Sequence, residues 1–343
     1  MVMNSYEIVK AALYFQRPER LPVIYGTYGT NDFEFVVAAE GDEYYMEGID
    51  QWGCVWTKTG LNNMGQVTGF PVKNLDDVET FKVPDFNEDR RYKGVAEKIS
   101  KARDAGKYIG ANIFMILFER MHSLCRFEDV LCGLLTSPEK IGVMADRIID
   151  AQITFVRNLH ERFGSDIDGI NMGDDWGTQR SEIISYELWM EFFYPRYKRL
   201  FDFMHKCGYD VFVHSCGKIN NIIEGFIKAG VNAMNLLQPR VLGIKETGQQ
   251  YSGRVCFFTM ADYQTTLPSG NLEQIGRDVE DLMKYWATPN GGLVLVDYGD
   301  ANAAIGIHGQ KAKDVKLHMY RCFSQASEKL YGNALPEPIM PVK

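Results

Sequence analysis

The chain has 343 residues, 45% of them apolar and 24% charged, a balance that excludes disordered, collagen-like and coiled-coil chains. Its 37 Lys and Arg against 45 Asp and Glu give a net charge of −8, and no basic run exceeds Arg90-Arg91, which argues against nucleic-acid binding. Seven scattered cysteines without a CxxC pair fit a reducing compartment better than a disulfide framework. The N-terminal segment is broken by charges, and no window offers about 18 uninterrupted apolar residues, so a cytoplasmic protein off the membrane is expected.

In chain order, short β-rich runs occur at LPVIYG (21–26), CVWTK (54–58), YIGANI (108–113), DGINMG (168–173), DVFVHS (210–215), AMNLLQ (233–238), VCFFTM (255–260) and GLVLVDYG (292–299). Helical patterns begin at Ser137, Ser185 and Asn271, each with a Glu in the next three residues, which predicts a side-chain N-cap and an acidic first turn. Eight strands alternating with helices predict an α/β fold, a single (β/α)8 TIM-type barrel; a doubly wound open sheet is the alternative, without a GxGxxG or GxxxxGK[ST] element to support it. No linker or repeat divides the chain, so residues 1–343 are read as one domain. Residues 1–105 form its irregular, elaborated N-terminal part, suited to supplying a lid or entry loop.

A barrel of this kind carries its chemistry where strands end at the C-terminal face. There the chain is polar: Asp174, Asp175 and Gln179 follow DGINM, His214 and Cys216 follow DVFV, Gln238 follows AMNLL, Asp262 follows CFFTM, and Asp297, Tyr298 and Asp300 close the last strand. His214 and Cys216, two apart, share one face of a strand and supply half of a zinc site. A catalytic metal needs a third ligand. Cys256 begins its strand and is read as core, which leaves Asp297, ahead of Asp300, across the mouth. Adjacent side chains on an extended backbone point apart, so only one of Asp174 and Asp175 is expected to serve function, the other capping a helix. Gln179, Gln238 and Asp262 are expected substrate contacts. The remaining histidines fall in helical patterns or a loop and read as ordinary surface or core residues.

Three segments carry a resemblance to a known family: YEIVKAALYFQRPERLPVI, YELWMEFFYPRYKRLFDFMHKCGYDVFVHSCG and LPSGNLEQIGRDVEDLMKYWATPNGGLVLV. Over essentially its whole length the chain resembles the uroporphyrinogen decarboxylase superfamily, whose fold is a (β/α)8 barrel. Decarboxylases of that superfamily carry an RQAGRY-like arginine-rich segment after the first strand, where this chain has YGTYGTNDFEF without arginine. The other branch, the corrinoid-dependent methyltransferases, resembles the chain at His214-x-Cys216, which implies two zinc ligands. The third ligand of its coenzyme M members, a cysteine near the end of the last strand, has no counterpart in LVLVDYGDANAAIG, where Asp297 or Asp300 stand instead. The GDDWGTQ segment looks like that of a large group of anaerobic-bacterial relatives.

The resemblance implies zinc-dependent transfer of a methyl group between a small methylated substrate, a methyl ether undergoing O-demethylation, and the cobalt of a cobalamin-type corrinoid. Asp174 or Asp175 would protonate or orient the leaving oxygen and Tyr298 would hydrogen-bond it. No Asp-x-His-x-x-Gly segment is present to bind the corrinoid, which implies a partner corrinoid protein; a homodimer is implied by the decarboxylases alone. Two other readings stand beside this one: a metal-free decarboxylase, and a non-catalytic corrinoid- or small-ligand-binding relative.

Overall fold

A computed structural model of the chain describes residues 2–26, 30–40, 47–60, 65–297 and 309–338. Eight strands form the barrel: β1 (Val23–Tyr25), β2 (Phe33–Ala38), β3 (Tyr108–Ile113), β4 (Gly169–Gly173), β5 (Asp210–His214), β6 (Ala233–Asn235), β7 (Cys256–Thr259) and β8 (Leu293–Val296). Each is paired in parallel with the next from β2 to β8, and β8 pairs in parallel with β1. Helices cross between strands on the outside, as parallel neighbours require. The longest, Pro138–Phe163, buries Ile141, Ala145, Ile148, Gln152, Phe155 and Leu159 at helical spacing along one stripe.

Between β1 and β2 the chain closes the barrel on itself. Thr30–Asn31 lies antiparallel to β1, and Asp32 follows immediately. The Asp32 N–H donates to the Val23 carbonyl (2.8 Å), and its own carbonyl accepts the Tyr108 N–H (3.0 Å). Its carboxylate accepts the Val23 N–H and both terminal nitrogens of Arg20.

The inward face follows from side chains that meet across the barrel. Phe33, Tyr108, Phe212 and Phe258, from four strands, have ring centroids 5.1–5.8 Å apart around the circuit. They plug the barrel, and such pairs add about 0.5–1.5 kcal/mol each beyond their burial. Below them Asp210, 2% exposed, accepts Lys10 Nζ (2.8 Å) and Tyr108 Oη (2.7 Å), and Tyr14 Oη as well, tying the helix Ser5–Leu13 to the N-terminal end.

Seven of the eight strand expectations coincide with barrel strands. The exception is CVWTK: Val55–Thr57 belongs to a separate antiparallel sheet with Gly48–Ile49 and Gln66–Gly69. The second barrel strand is β2, where a register shift between Phe35 and Val37 interrupts the period of two that marks a strand in sequence. A buried Arg120 binds the small sheet's Asp50 (3.2 Å), whose carboxylate also accepts Trp56 Nε1 and the amides of Trp52 and Cys54. Caps form at Ser185 and Asn271, whose side chains accept the N–H groups of Leu188 and Gln274. Ser137 makes no such bond: Pro138 takes the first helical position, and the Ser137 backbone (ψ 54°) leaves the extended conformation a cap requires.

Candidate metal centre

The C-terminal ends of β4 and β5 are neighbours, with Gly173 in register with His214. The segments that follow remain together. The Asp174 N–H donates to the His214 carbonyl, the Lys218 N–H to the Thr178 carbonyl, and the Trp176 N–H to Ser215 Oγ. Gly177 and Gly217 cross backbone to backbone: a Cβ on Gly217, whose φ is +80°, would lie 2.2 Å from the Gly177 carbonyl oxygen. Two glycines therefore permit an approach that any side chain would block.

The crossing gathers three donors. His214 Nε2 lies 3.2 Å from Cys216 Sγ and 3.6 Å from Asp175 Oδ1, and the Cys216 N–H donates to Asp175 Oδ1 at 2.7 Å. All three donor atoms fall within 4.8 Å of one another. Tetrahedral zinc with N, S and O ligands at ordinary bond lengths separates its ligand atoms by about 3.4–3.6 Å, so the set fits a three-ligand site with one open position.

Electrostatics favours a cation here. Burial pushes the Cys216 thiol well up, and the carboxylates of Asp175 and Glu119 push it further. Glu119, in the helix Phe118–Leu124, is likewise held far above the carboxylate range by burial and then by Asp175 and Asp174. A bound divalent ion reverses that penalty, because thiolate and carboxylate are the forms that ligate. Burial also keeps His122, one helical turn from Glu119, neutral, with its pKa pushed down to about 4.

The sequence-selected residues divide sharply. Asp174 is fully buried and accepts the N–H groups of Leu117, Phe118 and Glu119 and the Tyr197 hydroxyl (2.5 Å). It fastens the start of the Phe118–Leu124 helix, so Asp175 is the carboxylate that faces the cluster. Asp297 departs from the expected ligand role. Val294 is in register with the inward Phe258, so 294 and 296 face the interior and 297 faces out, where its carboxylate meets Lys316 of the helix Gly309–Tyr331 at 3.0 Å. Tyr298 and Asp300 lie outside the described residues.

Asp262 is 1% exposed, and its oxygens accept the N–H groups of Arg240, Gln264 and Thr265 and the Thr265 hydroxyl; it organises a loop rather than meeting a substrate. Gln238 is also buried, and its Oε1 accepts the Gly217 N–H (3.0 Å) and Gln179 Nε2 (3.1 Å), bracing the turn beyond Cys216.

Sequence reading passed over Glu119, which looks like any acid in a first helical turn. It also passed over Asn112, Asn171 and Asn235, each a polar residue in an otherwise apolar strand. Asn171 is in register with Phe212, Asn112 with Asn171, and Asn235 with both Phe258 and His214. Residues in register share a face, so all three asparagines point into the barrel beside His214. Asn171 Nδ2 donates to Asn112 Oδ1 (3.1 Å), while Asn235 Oδ1 is buried without a partner among the described residues.

Eight parallel strands with nitrogen, sulfur and carboxylate donors at the C-terminal mouth define a (β/α)8-barrel protein with a candidate catalytic metal site. The family model described as uroporphyrinogen decarboxylase (URO-D) matches residues 62–295, more than half of the chain, and the chain belongs to that family. Among solved structures, a methyltransferase from Methanosarcina mazei superposes with a TM-score of 0.66 at 15% identity, covering 96% of this chain and 99% of that one. At that identity the likeness is one of fold. The catalytic domain of a Bacillus sp. JAMB-750 GH26 endo-β-1,4-mannanase superposes more loosely, with a TM-score of 0.40 at 12% identity, covering 94% of this chain and 92% of that one. No curated protein sequence matches the chain. No helix among the described residues is long and apolar enough to cross a membrane.

Proposed function

We propose that the chain is a zinc-dependent methyltransferase that moves a methyl group between a small methyl ether and a corrinoid carried by a partner protein. The observation that carries this reading is the convergence of Asp175, His214 and Cys216 at the barrel mouth. Family membership and the fold shared with a methyltransferase support it.

Bound to these three residues, zinc would supply Lewis acidity to an ether oxygen, stabilising the charge that develops as the C–O bond breaks. The oxygen left behind keeps the bonding pair and takes up one proton. Asp174 is committed to four donors, so Glu119, buried close to Asp175 and Cys216, replaces it in the donor role. His214 is oriented by its strand and Asp175 by the Cys216 amide, so both are set before a ligand arrives.

A second reading, decarboxylation of a polycarboxylate, draws on the family model and on a cavity of about 890 Å³ whose lining includes Lys82, Arg90 and Arg91. Asp50, Asp85 and Glu88 line the same cavity, and Arg90 and Arg91 are both paired with Glu88, so the lining is not a free cationic cradle.

Metal analysis separates the readings. One zinc per chain is expected in the wild type and far less in His214→Ala, Cys216→Ala and Asp175→Ala, together with loss of methyl transfer from 2-methoxyphenol to reduced cobalamin. Full zinc and intact transfer in all three variants refutes the assignment, and conversion of uroporphyrinogen to coproporphyrinogen by metal-free protein establishes the decarboxylase.

A further inference from the structure

The barrel mouth is lined unevenly. On the β3, β4 and β6 side the inward positions are amides, Asn112, Asn171 and Asn235. On the opposite side they are apolar: Ile24, in register with Val296, and Phe35, in register with the inward Gly110. These inward residues of the last strand turn, Val296 apart, keep part of their surface open, while the plug beneath them is closed.

We infer that Asn112, Asn171 and Asn235 form the specificity-determining subsite of this mouth, selecting a substrate with an uncharged hydroxyl on one edge of an apolar ring. Asn235 Oδ1 is the focus. Among the described residues it is a buried acceptor without a partner, on a residue in register with His214, and the partner it suits is an O–H or N–H of a ligand seated against the metal cluster. The Asn171 to Asn112 bond holds a second amide at the same level, where it can face the hydroxyl oxygen. A carboxylate is disfavoured at this subsite because it has no proton to donate to Asn235 Oδ1. Ile24 and Phe35 take the apolar face of the ring.

This assignment rests on the reading that the Asp175–His214–Cys216 cluster is the reaction centre, and its test is direct binding to the protein as purified, with no corrinoid present. Three probes differ in one substituent: 2-methoxyphenol, methoxybenzene and 2-methoxybenzoate. Calorimetry is expected to rank the phenol first by about tenfold or more over methoxybenzene, with the benzoate weakest. In Asn235→Leu and Asn112→Leu the preference for the hydroxyl collapses, while methoxybenzene affinity and zinc content stay at wild-type values. The inference is overturned if the benzoate binds tightest, if none of the three binds, or if both variants keep the preference. Hydroxyl-selective binding without methyl transfer would leave the subsite standing and refute the proposed function.

Discussion

The backbone crossing of Gly177 and Gly217 is the feature on which the site's geometry depends, and Gly217→Ala tests it. The new Cβ would stand 2.2 Å from the Gly177 oxygen, more than 1 Å inside ordinary contact, and neither partner is a side chain that can swing away. The segments must part by about 1 Å, which breaks the 2.8 Å bond from Lys218 N–H to the Thr178 carbonyl and strains the 2.7 Å bond from Cys216 N–H to Asp175. Left-handed backbone costs alanine about 1–2 kcal/mol, and each lost bond about 1 kcal/mol, for a total near 3 kcal/mol. For 343 residues each kcal/mol lowers Tm by about 1.5 °C, so a fall of about 4–5 °C is expected in a thermal melt. Zinc affinity, read by chelator competition, should drop about 10- to 100-fold as Asp175 and Cys216 separate.

Two controls isolate the cause. Gly208→Ala has the same left-handed strain (φ +87°) with nothing within 4 Å, and should cost only about 1 kcal/mol without touching zinc. Gly177→Ala, 2.6 Å from the Gly217 carbonyl carbon without that strain, should weaken zinc as Gly217→Ala does. Wild-type zinc affinity in Gly217→Ala, or equal zinc loss in Gly208→Ala, would refute the argument that the crossing positions the ligands.

Asp297→Asn should leave zinc content unchanged while lowering stability by about 3 kcal/mol in chemical denaturation, because it removes the buried carboxylate charge that pairs with Lys316; zinc loss would return Asp297 to the ligand set. Tyr108→Phe removes one donor from buried Asp210 and should cost about 1–2 kcal/mol by the same measurement, with metal binding unaffected. Asp278 is buried, which raises its pKa, but its bonds to Arg240, Thr266 and Gln274 outweigh that and hold it below the ordinary carboxylate value. A depressed folded-state pKa gives stability that is present above the unfolded value and lost as pH falls through the folded one. Denaturation midpoints should therefore fall below about pH 4 in the wild type, and less steeply in Asp278→Asn.

The sequence by itself determined the barrel, because parallel strands buried on both faces read as short apolar runs and helices as amphipathic stripes, both local signals. It also determined His214 and Cys216 as a pair, since the period of two places them on one face whatever surrounds them. The second barrel strand was hidden by the register shift at Phe35 and Val37, which erases that period. Only the tertiary structure decided which carboxylate joins the pair. Sequence alone favours Asp297 as the third ligand and gives Asp174 or Asp175, indistinguishable as neighbours, the part of proton donor. The choice was made by the outward parity of 297 and by the four donors that consume Asp174. The glycine crossing beyond strands β4 and β5 then brings Asp175 to His214 and Cys216. Contacts among residues 40 positions apart depend on how two loops pack, and no local pattern records that.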